Sequence, residues 1–175
     1  MTEWTRDEWD DEQVDLARKQ RQDDAQLDAL TQTVRPMTLS LIIPRTGLLT
    51  SNMRLHWARK ARMTGDLRRQ AAAKWRLAHT HGFPPLPAAH VTATLQFPDN
   101  RRRDPANWAP TAKACIDGFV SGHRDVPGEW VGVLPDDDHR HLVGPDMRIR
   151  EPDKALKGRV RIDFHFQPIT KGQAA

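Results

Sequence analysis

Two stretches of this chain hold residue types able to work on a phosphate. Arg101-Arg102-Arg103-Asp104-Pro105-Ala106-Asn107 sets three cations directly before a carboxylate, and Asp136-Asp137-Asp138 sets three carboxylates side by side. Arginine forks match phosphate oxygens, so Arg101 to Arg103 are candidates to seat a nucleic-acid backbone. Magnesium and manganese take hard oxygen ligands and keep several waters, so two or three carboxylates from separate parts of a chain suffice to hold one. An ion so held activates a water and stabilises the leaving oxygen of a phosphodiester. The chemistry indicated is metal-dependent cleavage of DNA, with Asp104, Asp136, Asp137 and Asp138 as candidate ligands. The acid run also has a plainer reading, a solvated turn, although adjacent carboxylates repel one another and gain from a bound cation.

Other residues leave alternatives open. Lys113 and Asp117 stand four apart, the spacing of a helical ion pair; equally, Lys113 could point to the carboxylates and balance charge at a phosphate. In Leu49 to Trp57, the side chains of Asn52, Arg54 and His56 could meet phosphates while Trp57 packs or stacks. An ordinary capped loop with a core tryptophan reads as well. His139 and His141 would share one side of a strand, but a zinc site needs further partners that the chain does not offer. No glycine-rich phosphate loop is present, so no nucleotide cofactor is expected. Cys115, on an apolar helical face, is a poor nucleophile candidate.

The elements that must position these residues follow from periodicity. Met37 to Pro44 reads as a strand with Leu39, Leu41 and Ile43 on one face. Thr64 is a candidate cap for a helix to about Ala78, whose stripe is Leu67, Ala71, Trp75 and Ala78 and whose Arg68, Arg69, Lys74 and Arg76 form a solvated face. Gly82 to Pro87 is a rigid connector into a half-buried strand over His90 to Phe97, which leaves Asp104 just past a strand end. A second helix is expected with Asn107 as its N-cap and Pro110 in its first turn, burying Trp108, Ala112, Cys115 and Phe119 and ending at Gly122. A loop, Gly122 to Trp130, precedes the acid run. His139 to Ile149 and Gly158 to Gln167 are expected to pair as a hairpin, with Val160, Ile162, Phe164 and Phe166 inward. The fold class is a small α/β (α+β) domain.

Charge is divided along the chain. Residues 1 to 36 carry ten acids and five bases, leaving 22 bases and 13 acids, or +9, for residues 37 to 175 out of a total of +4. A basic body of this kind suits a polyanionic partner, although an inert basic surface would look the same. The first 36 residues form an acidic extension, with Leu27, Leu30 and Val34 at helical spacing but too little apolar area to anchor it. No apolar run approaches the roughly 20 residues that span a bilayer, and the N-terminus has no signal-peptide pattern. With one cysteine, an internal disulfide is excluded. The expected location is the cytoplasm.

Taken together, Arg101 to Asn107, Ala112-Lys113-Ala114-Cys115-Ile116-Asp117-Gly118, Gly132-Val133-Leu134-Pro135-Asp136-Asp137-Asp138 and the earlier Ser51-Asn52 resemble the motifs of the RusA family of Holliday junction endodeoxyribonucleases, in the family's order. The resemblance covers roughly residues 37 to 166. It implies a small mixed sheet with helices packed on it over residues 37–168, a C-terminal tail at 169–175, and a homodimer. It also implies magnesium or manganese dependence, branched DNA as substrate, and a phage or prophage setting. By motif, Asp104 matches the first catalytic aspartate and Asp137 the distal one, with Asp136 beside it and Asp138 assisting. Lys113 matches the functional lysine once a short insertion, about Trp108 to Thr111, is allowed. Arg101, Arg102, Arg103, Asn107, Ser51, Asn52, Arg54 and His56 would then contact DNA. One departure is chemical: the second acid of the family's Asp-x-Asp pair falls on Ala106. A junction-binding protein that has lost cleavage is therefore the alternative. The acidic extension has no counterpart in the family, and competition with DNA for the basic body is one role open to it.

Overall fold

Period-two alternation carries the chain into its central strands. The computed structural model describes Lys19 and residues 35–120 and 132–169. The expectations for the acidic extension, the Gly122 helix end, the Gly122 to Trp130 loop and the tail beyond Ile169 lie outside the described residues. Strand β1 (Met37–Pro44) buries Met37, Leu39, Leu41 and Ile43. Strand β2 (Ala89–Gln96) buries Ala89, Val91, Ala93 and Leu95, and β4 (Arg159–Pro168) buries Val160, Ile162, Phe164 and Phe166. These are the inward sets that alternation predicts. Strand β3 (Leu142–Arg150) buries none of its residues and alternates half-buried with exposed positions from Val143 on.

The hairpin expectation fails. The sheet order is β1-β4-β2-β3, with β4 antiparallel to both β1 and β2 and β3 parallel to β2. The physical reason lies in burial. β3 buries none of its residues and takes an edge, whereas β4, with four large inward apolar residues, is paired on both sides. The chain between them crosses the end of β2, where the Asp153 N–H donates to the Phe97 carbonyl at 2.8 Å. A short 3-10 turn over Lys154–Leu156, capped by Asp153, then leads through left-handed Lys157 and Gly158 into β4. His139 and His141 precede β3 rather than facing one way within it.

Helix α1 spans Trp57–Thr80 and α2 spans Ala109–Val120. Helix α1 starts two turns earlier than expected, capped by His56, whose Nδ1 accepts from the Ala58 N–H. Its first turns bury nothing, so the apolar stripe that marks a helix starts only at Leu67. From there Leu67, Ala71, Ala72 and Trp75 are buried. The two helices cross closely at Gly118, where a Cβ would stand 2.3 Å from the Arg68 carbonyl oxygen. Phe119 of α2 meets Phe164 and Phe166 edge-on, with ring centroids 5.1 and 5.8 Å apart, which fastens the helix to the inner face of the sheet. The opposite face is polar; there Asp163 receives Arg150 at 2.6 Å and Arg161 at 2.7 Å. Among the described residues from 35 to 169, the result is a mixed α+β fold with an open four-stranded sheet and two helices. No helix among the described residues is long and apolar enough to cross a membrane.

Candidate functional site

The N-terminal half of α2 gathers the sequence motifs. Asp104, rather than Asn107, is the cap: its carboxylate accepts the Ala106 N–H at 3.0 Å and opens a 3-10 turn, Pro105–Trp108, that feeds α2 at Ala109. The four residues Pro105 to Trp108 thereby form the turn before the helix begins, and Asn107 lies within that turn. Asn107 instead clasps the loop after β1. Its carbonyl accepts the Ser51 N–H at 2.9 Å, and its side-chain oxygen accepts from Asn52 Nδ2 at 3.2 Å. One turn on, the fully buried Thr111 hydroxyl accepts from the Leu49 N–H and donates to the Leu49 carbonyl, both at 2.7 Å. Ser51-Asn52 and Asp104 to Asn107 are in this way adjoining parts of one surface, although Asn52 and Asn107 are 55 residues apart in the chain.

Lys113 makes the helical ion pair and also reaches the acid run. Its ammonium stands 2.8 Å from Asp117 on the same helix and also donates to Asp137 from the acid run. Asp117 is mostly buried and receives Arg68 from α1 as well. Asp136 accepts the Asp137 N–H at 2.7 Å, so a second carboxylate borders the pair. The Lys113 hydrogen bond, opposed by some burial, holds the Asp137 carboxyl below the usual carboxylate range. Burial pulls the Lys113 ammonium the other way, but hydrogen bonds to Asp117 and Asp137 leave its pKa raised. Carboxylates from α2 and from the acid run thus already surround one positive charge.

Several candidates stand elsewhere. Arg103 is not free to seat a phosphate: its side chain is 8% exposed, stacks 4.0 Å above the Phe97 ring, and bonds Asp99 and the carbonyls of Asp99 and Arg101. It braces the loop that presents Arg101 and Arg102, both exposed. Asp138 turns to the Arg140 N–H and to His141 Nδ1, at 2.9 and 2.7 Å, and shapes the turn into β3. Arg54 and His56 are exposed on the loop before α1.

Magnesium or manganese suits this site in donor chemistry, since the side chains gathered are carboxylates around a cation position. The arrangement gives that position to the Lys113 ammonium, and Asp104 is engaged with its own turn. Among the described residues no three histidine, cysteine or carboxylate side chains form a ready ligand group. The expected ligands Asp104, Asp136 and Asp137 are all among the described residues, and they do not form such a group.

Sequence reasoning missed three contributors. Arg68 read as part of a solvated face, yet it meets Asp117 across the helix crossing. Asp99 gathers Arg45 at 3.3 Å as well as Arg103, and no motif surrounds it. Thr111 fell within a presumed insertion. Only the helical spacing of Arg68, one residue beyond buried Leu67, could have hinted at the first. No protein-family model matches this chain, and no curated protein matches it.

Proposed function

We propose that this chain is a metal-dependent endodeoxyribonuclease that cuts branched DNA, with four-way junctions as substrate. The observation that carries the reading is the convergence at the start of α2: Ser51-Asn52 joined to Asn107, and Lys113 joined to Asp137, bring four separated motifs to the 3-10 turn and the first half of the helix it feeds. A divalent magnesium or manganese ion, when bound, would supply an activated water. The chain's own groups do the rest. Arg101 and Arg102 hold the backbone through exposed guanidiniums on a loop stiffened by Arg103. Lys113, steadied from behind by Asp117, neutralises charge at the scissile phosphate. A homodimer would present two such sites to the two strands of a junction.

The test is cleavage of a synthetic four-way junction and a matched linear duplex, in magnesium, manganese or EDTA, by the wild type and Asp104→Asn. Asparagine keeps an oxygen to accept the Ala106 N–H, so this substitution removes charge and leaves the turn. Paired, metal-dependent cuts in the junction alone, lost in the variant while binding persists, are the expected result. No cleavage by the wild type in either metal removes the enzyme reading.

A second reading has its own observation. Ala106 stands where the resembled family has an acid, and Asp104 faces its own loop, so a junction-binding protein without cleavage also fits. It would bind junctions with an affinity that falls with salt, at a log-log slope near -0.9 per phosphate neutralised, and never cut. Ala106→Asp is then the substitution expected to restore cutting.

A further inference from the structure

From Thr50 to Asp66 no side chain is buried, although ten residues of that span are the opening turns of α1. A helical end of that length that buries none of its side chains is marginal by itself, and this one displays Trp57 at 76% exposure, with Met53, four residues earlier, at 42%. Tryptophan is a residue that folding ordinarily hides, as the fully buried Trp75 of the same helix shows. The sequence here is one-signed: from Thr46 to Gly65 there are four arginines and lysines and no acid. Arg54, Arg59 and Lys60 are all exposed, and the His56 ring lies 5.6 Å from that of Trp57. An exposed apolar ring in a stretch whose charged residues are all cations suits a ligand with a flat face and flanking negative charge. A nucleobase between two phosphates is such a ligand, and stacking on it is open to any base that is not already paired and stacked. A base inside intact duplex is not available.

The loop carrying these residues is fastened beside Asp104 by the Ser51 and Asn52 bonds to Asn107. Trp57 follows Asn52 by five residues, so it lies within about 18 Å of that anchor even if the chain were fully extended. We infer that Trp57 is a stacking wedge that takes an unpaired base at the branch point, while Arg54, Arg59 and Lys60 hold the phosphates on either side. The inference rests on the DNA reading above and adds the residue that distinguishes branched from linear DNA.

The test uses the full chain in EDTA, so that binding is read without cutting. Affinities are measured by fluorescence anisotropy for a synthetic four-way junction, a linear duplex of equal length, and a single-stranded oligonucleotide. Trp57→Ala is expected to lose tenfold or more on the junction and the single strand, on the scale of one stacked base, and less than about twofold on the duplex. Trp57→Phe keeps most of the wild-type affinity. Trp57→Leu, apolar but unable to stack, behaves like the alanine variant. Arg59→Gln combined with Lys60→Gln weakens all three complexes and flattens the salt dependence. All the Trp57 variants should melt with the wild type, because the ring supports no core.

Junction affinity unchanged in Trp57→Ala, or lost equally on duplex, overturns the wedge while a salt-sensitive wild type keeps the DNA reading. Trp57→Leu binding as tightly as wild type overturns it too. A Trp57→Ala variant that becomes a smaller species in sedimentation with its junction affinity intact makes the patch a self-association surface instead. A wild type that binds none of the three probes removes both readings together.

Discussion

Lys113 is the residue on which the candidate site turns, since two carboxylates from different parts of the chain share its ammonium. The sign of its pH dependence follows from the shifts. Asp137, held below its ordinary 3.8, contributes stability that is complete above 3.8 and is lost as pH falls through its lowered value. Lys113, raised above 10.5, contributes stability that is complete below 10.5 and is lost as pH rises through its raised value. Between those limits the contribution is constant. Lys113→Met is therefore expected to move the Asp137 carboxyl titration upward, as followed by carbon NMR, because the largest cause of its lowering is removed. An unchanged titration would contradict the ion pair. The stability loss at neutral pH should be small, about 0.5 kcal/mol, because more than half of the Lys113 side chain meets water. Cys115, by contrast, is chemically silent: burial, with the Asp117 charge adding to it, pushes its thiol up to about 12, in keeping with its place in the core.

At the scale of elements, two glycines in the helices should answer the same substitution with opposite signs. Gly118 sits where α2 crosses α1, and an added Cβ would meet backbone, the Arg68 oxygen at 2.3 Å and its Cα at 2.8 Å. Gly118→Ala must push the helices apart and is expected to destabilise by roughly 1–3 kcal/mol. It should also disturb Arg68 and Asp117, which meet at that crossing. Gly65, inside α1, would meet only the far end of the flexible Arg69 side chain, at 3.4 Å. Gly65→Ala is expected to stabilise by about 0.5–1 kcal/mol through helix propensity alone. Urea unfolding of the two variants decides both; equal shifts would contradict the crossing. The same elements show what a sequence can and cannot display. Strands β1, β2 and β4 were legible because each has one buried face, and burial writes a period of two into the residues. Pairing leaves no such mark, so β3 and β4 looked like a hairpin although β4 lies between β1 and β2. The first turns of α1 were illegible for a related reason: they have no buried face, so no stripe. In the candidate site, the Lys113 and Asp117 spacing was readable, whereas the Arg68 contact and the Asp99 cluster depend on tertiary neighbours that spacing does not encode.

At the scale of the whole molecule, the acid-rich residues 1 to 36 offset more than half of the charge of the remainder, which bears +9 against +4 for the chain. That balance has a consequence for association with any polyanion, irrespective of where the extension lies. Long-range attraction scales with net charge and sets the rate of encounter, and salt screens it over a Debye length of about 10 Å at 0.1 M. Removing residues 1 to 36 is therefore expected to raise the association rate with a four-way junction several-fold at 50 mM salt. It should raise the rate with linear duplex by a similar factor, because net charge does not read branching. The advantage should fade as salt approaches 0.5 M, where the Debye length falls toward a few ångströms. Stopped-flow association across that salt range, with the whole chain and the shortened one, measures this directly. A gain that persists at high salt would mean that the extension covers the binding surface rather than merely lowering its field, which is the competition for the basic body that its composition suggests. No gain at any salt would mean that the charge of the extension does not reach the surface where DNA binds, and it would leave Arg54, Arg59, Lys60, Arg101 and Arg102 to attract DNA by their local field alone.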